Sequence, residues 1–193
     1  SEPAAIFALL LAEKNGDAIS TAANTKFADI PAHAWYSGYV KYLSNNGITY
    51  GKSKTIFAPN DAITRAEFTT MAVRFFDVYG DGDAEIMEQF SGFNDVSSGY
   101  WAAEYIKYAA LHGWINGYGD GSFHADREIN RAEVVTIVNR LLGREADEDY
   151  IADNLRKLNT FPDVTKRHWA YYAVMEAANA HTAVLGESES WSK

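Results

Sequence analysis

Phe93-Asn94-Asp95-Val96, with Trp101 eight residues after its Phe, decides the fold, because the same arrangement stands at two other places in the chain. Phe27-Ala28-Asp29-Ile30 is followed at the same distance by Trp35, and Phe161-Pro162-Asp163-Val164 by Trp169. Successive copies lie 66 and 68 residues apart. A period of this size marks one supersecondary unit copied along the chain, none of the copies able to bury its apolar face alone.

A second block recurs between these copies. Gly51, Phe57 and Thr64-Arg65-Ala66-Glu67 match Gly117, Phe123 and Asn130-Arg131-Ala132-Glu133 with identical internal spacing, and Met71, Phe75 and Phe76 match Ile137, Leu141 and Leu142. The same template laid on the N-terminus puts Glu2 at the Glu position and Ile6, Leu10 and Leu11 at the apolar ones. The chain thus begins inside a shortened copy, and the repeat logic expects an Arg immediately before Ser1 and a trimmed fragment rather than a natural start.

Each unit holds two helix-period segments. The first begins at the Trp and puts Trp35, Tyr39, Val40 and Leu43 on one stripe, as it does Trp101, Tyr105, Ile106 and Ala109, and Trp169, Ala173, Val174 and Ala177. Gly47 and Gly113 fall where a glycine ends such a helix, while the third copy has His181 there. The second segment opens with Thr64 or Asn130 as N-cap and carries Glu67 or Glu133 three residues on, the pattern of a capping box. Tight turns link the two, at Gly51-Lys-Ser-Lys and Tyr118-Gly-Asp-Gly-Ser. These segments predict one mainly helical domain over 1–193: a half repeat (1–26), two full repeats (27–92 and 93–160) and a half repeat (161–193). The N-terminal helix is expected to pair with the Trp helix of the last half repeat. Residues 77–92 and 143–160 read as acidic connectors, with a short helix expected at Tyr150–Leu155.

Composition narrows the function. The 193 residues are 47% apolar and 14% aromatic, enough for a packed core. A formal charge of −9 argues against sequence-independent binding to nucleic acid or an anionic membrane, so an anionic ligand needs locally placed cations. The longest apolar run, Ala4 to Ala12, is nine residues, against roughly 20 for a membrane span. With no cysteine there is no disulfide, thiolate metal site or Cys nucleophile. The five histidines are scattered, no nucleophile elbow or phosphate loop is present, and no carboxylate pair stands out at glycosidase spacing, so the chain is not expected to be an enzyme. Neither a cofactor nor a metal is expected. Asp77 to Glu88 has the Gly and Glu of an EF-hand loop at its sixth and twelfth places, but Tyr79 fills a ligand position, and a solvated acidic connector is the simpler reading.

The Phe-x-Asp-Val opening, the spaced Trp, the Gly117-Tyr-x-Asp-Gly-x-Phe123 turn and the Thr64-Arg-Ala-Glu67 tetrad together resemble the S-layer homology (SLH) domains of bacterial cell-surface proteins. The resemblance covers nearly the whole chain. It implies a pseudo-threefold helical bundle with three loop prongs, the third repeat being truncated and split between the two termini. It also implies secretion to the bacterial cell wall or S-layer. There the module would be a non-covalent anchor on a secondary cell-wall polysaccharide that carries a pyruvylated amino sugar, with neighbouring surface-layer subunits as further partners. The alternative is an assembly module of a surface layer that binds no sugar.

Carried over by position, the implied ligand-binding residues are Asp29, Trp35, Gly51, Arg65, Asp95, Trp101, Gly117, Arg131, Asp163 and Trp169. Asn130 replaces the family's Thr, and the third tetrad survives only as Ser1-Glu2. Each of these signals also has a plain structural reading. Glu67 and Glu133 are what a helix N-terminus wants in any case. Arg65 and Arg131 oppose the helix dipole, so they serve either an anion or a solvated surface. The tryptophans are expected at least half in the core with a ring edge free to stack on sugar, and the motif aspartates either cap turn amides or meet a hydroxyl.

Overall fold

The computed structural model describes residues 2–80, 90–184 and 190–192. Most of the acidic stretch from Asp77 to Glu88 lies outside them. Seven α-helices are present among the described residues: α1 (Glu2–Asn15), α2 (Ser37–Asn45), α3 (Arg65–Tyr79), α4 (Ala103–Leu111), α5 (Arg131–Leu141), α6 (Glu148–Asn154) and α7 (Tyr171–Ala178). A 3₁₀ turn (Leu155–Lys157) extends α6, and β1 (Thr182–Val184) pairs antiparallel with β2 (Ser190–Ser192), Ala183 opposite Trp191.

The capping boxes form as the sequence predicts. The Thr64 hydroxyl accepts from the Glu67 amide at 3.2 Å while the Glu67 carboxylate accepts from the Thr64 amide at 3.0 Å. Asn130 and Glu133 do the same at 2.9 and 3.0 Å. Two further amides at the start of α3 donate across the repeat boundary, Arg65 to the carbonyl of Arg127 and Ala66 to that of Ala125. The loop of one unit thereby satisfies the helix N-terminus of the preceding one. At the other end, Gly47 and Gly113 take φ of +73° and +69°, and the amides of Ile48 and Trp114 reach back to Leu43 and Ala109, the hydrogen bonds that close a helix.

Three helix pairs result: α1 with α2, α3 with α4, and α5 with α7, with α3 also lying against α1 and α5. Phe7, Phe68 and Phe75 meet at the centre, fully buried, with ring centroids 4.9 to 5.4 Å apart from Phe7. Each such burial is worth about 1.5–3 kcal/mol. Leu11, Val40, Leu43, Ile106 and Ala109 complete the contact between pairs.

Three expectations are corrected here. The main partner of α1 is α2, not the last Trp helix, which packs on α5. The short helices start two residues after their tryptophans, because a preceding turn, closed by Ser37 N–Ala34 O and Ala103 N–Tyr100 O, holds each Trp outside the helix. Trp35, Trp101 and Trp169 are consequently 56%, 55% and 64% exposed, and not half in the core. Finally, α7 buries Tyr171 and Met175 where the expected stripe was Ala173, Val174 and Ala177. Its rotation follows from a separate apolar cluster, in which Ile151 of α6 and Trp191 of β2 pack on Tyr171 and Met175. The short helix expected at Tyr150–Leu155 is present as α6, capped by Asp147.

Candidate functional site: two equivalent grooves

The prong turns come first, since they shape the grooves. The Asp29 carboxylate accepts from the amides of Phe57 at 2.9 Å and Ala58 at 2.6 Å, and Asp95 accepts from Phe123 and His124, each at 2.7 Å. Ala58 and His124 are the two non-glycine residues of positive φ among those described, 61° and 55°, so each aspartate holds a strained turn closed. Burial acts to raise both carboxyls, and the two amides on each outweigh it, leaving Asp29 and Asp95 below the ordinary aspartate value. Gly51 and Gly117 are glycines for a packing reason. A Cβ there would lie 2.5 Å from the Phe27 ring and 2.4 Å from the Phe93 ring. The third copy differs: Phe161 and Asp163 are exposed, and the amide of Trp191 donates instead to Asp147 at 3.0 Å.

Two grooves run beside these prongs. The first, about 860 Å³, is lined by Gly51, Lys52, Asp61, Glu67, Arg74 and Trp101, with Glu2 and Arg131 at one end. The second, about 610 Å³, is lined by Gly117, Tyr118, Arg127, Glu133, Arg140 and Trp169, with Arg65 reaching in from the preceding unit. Gly51, Lys52, Asp61, Glu67 and Arg74 of the first stand 66 residues before Gly117, Tyr118, Arg127, Glu133 and Arg140 of the second. The first brings together Gly51, Trp101 and Arg131 from the expected set, and the second Arg65, Gly117 and Trp169. Asp29, Trp35, Asp95 and Asp163 line neither.

Arg65 is buried, and its guanidinium is already engaged. Nε donates to the Phe123 carbonyl at 2.9 Å, Nη1 to Glu133 at 2.7 Å and Nη2 to the Asn116 carbonyl at 3.3 Å, while the group lies over the Phe123 and Tyr118 rings. Burial pushes its pKa down and the Glu133 charge pulls it back. Glu133 is the hub: besides Arg65 and the capping amide it accepts from the Tyr118 hydroxyl at 2.9 Å and from Arg127. Burial would raise this carboxyl; the Asn130 amide, Tyr118 and the two arginines hold it below its ordinary value. Arg131 repeats the relation in the open, its Nη2 donating to both carboxylate oxygens of Glu2 at 3.1 and 3.2 Å. In both cases the tetrad Arg of one unit pairs with the Glu of another.

Sequence reasoning missed Arg74 and Arg140, although they recur at the same 66-residue spacing. Arg74 donates to the Tyr105 hydroxyl and is sandwiched between the Tyr50 and Tyr105 rings, at 4.7 and 4.9 Å. Arg140 has no carboxylate partner among the described residues. Burial alone lowers its pKa, and the Asn116 amide, oriented to donate to Ile115, accepts from it at 3.3 Å. The second groove therefore sets three arginines against one carboxylate, in a chain whose net charge is −9.

The S-layer homology domain pattern matches residues 26–69 and 92–135, each stretch starting at an opening Phe motif and ending within a capping-box helix. The chain belongs to the S-layer homology family. Over 98% of its length it is 31% identical to cell surface glycoprotein 1 of Acetivibrio thermocellus, and over 97% it is 30% identical to the cellulosome-anchoring protein of the same organism. An amylopullulanase of Thermoanaerobacterium thermosulfurigenes is 32% identical over 75% of the chain. The SLH chain spans 8%, 40% and 7% of those proteins, respectively. No described helix is long and apolar enough to cross a membrane.

Proposed function

We propose that this chain is one SLH-type domain, built of two full repeats and a third split between the termini, that anchors a bacterial surface protein non-covalently to the secondary polysaccharide of the cell wall. Relatives whose names are as different as cellulosome-anchoring protein, cell surface glycoprotein and amylopullulanase have this stretch in common. That is the distribution of a portable anchor, which need not be catalytic itself.

The ligand read from the second groove is a pyruvylated amino sugar. The observation that carries this is the charge of the groove: Arg65 and Arg127 share Glu133, while Arg140 has no carboxylate partner among the described residues. A ketal carboxylate offers two oxygens to a planar guanidinium. The exposed face of Trp169 at the groove edge suits the apolar side of a hexosamine ring. Calorimetric titration with a soluble pyruvylated amino-sugar fragment tests the reading. Arg140→Ala is expected to weaken binding by about ten- to a hundredfold, the worth of one charge-assisted contact, with an unchanged unfolding midpoint. An unaltered affinity would remove the groove from the site, and failure to bind the fragment at all would favour the assembly module.

A further inference from the structure

The sequence repeat makes each groove the internal control of the other. Gly51, Glu67 and Arg74 correspond to Gly117, Glu133 and Arg140 at a 66-residue displacement. Within that shared frame one position inverts its charge, Asp61 in the first groove standing where Arg127 stands in the second.

We propose that Asp61 and Arg127 give the two grooves opposite preferences, the second selecting a carboxylate-bearing sugar and the first an uncharged one. The inference rests on the reading of the grooves as the sugar sites. In the first groove Lys52 pairs with Glu67 and Arg131 with Glu2, so Asp61 and Arg74 remain and the lining sums to zero charge. Arg74 is moreover held against the Tyr50 and Tyr105 rings, so an aromatic face accompanies a lining whose charges balance. In the second groove the side chain at the inverted position adds a cation to a carboxylate that Arg65 already neutralises. The two linings then differ by two charges, with Asp61 repelling the group that Arg127 and Arg140 attract.

The test uses two probes, a pyruvylated amino-sugar methyl glycoside and its neutral methyl ester, followed through the indole N–H resonances of Trp101 and Trp169, with Trp35, which lines neither groove, as reference. With the carboxylate probe, Trp169 should respond at a concentration about tenfold or more below that moving Trp101, and the ester should erase or reverse that order. The double exchange Asp61→Arg with Arg127→Asp should transfer the preference to Trp101. Asp61 is exposed, so Asp61→Asn, which leaves the second groove intact, should narrow the gap by itself even where the exchange impairs folding. Both tryptophans responding together to the carboxylate, or an order unchanged by Asp61→Asn and by the exchange, overturns the proposal while leaving the grooves as sugar sites. No response of either tryptophan to either probe overturns both.

Discussion

At the scale of single residues, those the repeat brings forward divide into groups that hold the fold and groups that face the grooves. Asp29 and Asp95 belong to the first kind. Each takes two backbone amides and holds a residue of positive φ, so a carboxylate is required there whether or not a sugar is present. The Asp95 carboxyl titrates below the ordinary 3.8 in the folded chain, so its stabilisation is present above that value and is lost as pH falls through the lower folded one. Asp95→Asn is therefore expected to cost about 1–3 kcal/mol at neutral pH, with the gap to wild type closing in acid, as pH falls below 3.8 and through the folded value. Chemical denaturation at neutral and acid pH checks it, and a gap independent of pH would mean that the charge of Asp95 contributes nothing. Arg65 is also structural in large part: it ties α3 to the Phe123 carbonyl and to Glu133, partners 58 and 68 residues away. Its truncation would expose a buried carboxylate, so Arg140, which lacks that structural load, is the cleaner probe of binding.

At the scale of elements, legibility tracked how local the determinants are. Both capping boxes and both helix-ending glycines were readable, since a cap is settled within four or five residues. The glycines, tryptophans and tetrad arginines at the grooves were readable from the repeat spacing. Arg74 and Arg140 carried the same signal but sat inside helices where a charged residue usually just meets solvent. What spacing could not convey was rotation about a helix axis. In α2 and α4 the apolar stripe faces the neighbouring long helix, but α7 turns Met175 inward, because Ile151 of α6 and Trp191 of β2 supply a second apolar surface for it. Met175→Ala should accordingly destabilise by about 2–5 kcal/mol and Val174→Ala by less than about 1.5 kcal/mol. Equal losses in thermal unfolding would restore the unrotated stripe. The exposed tryptophans have a similar origin, since the turn ahead of each helix, not the stripe, sets their direction.

At the scale of the whole molecule, a strongly acidic chain concentrates arginine in one groove. Long-range repulsion from a charge of −9 is screened beyond about 8 Å at physiological salt, so a short-range cluster can still capture an anion. Three helix pairs hold the prongs so that loops of one unit cap helices of another, and grooves form where units meet. A polymer bearing many identical sugars would engage such grooves repeatedly, and attachment to a wall would then outlast any single contact. Co-sedimentation with purified peptidoglycan sacculi, with and without their secondary polysaccharide, measures this attachment directly. Wild type should sediment with the intact sacculi in a salt-sensitive manner and stay in solution with the stripped ones, and Arg140→Ala should sediment less. Equal sedimentation with both kinds of sacculi would contradict the polysaccharide as the anchor.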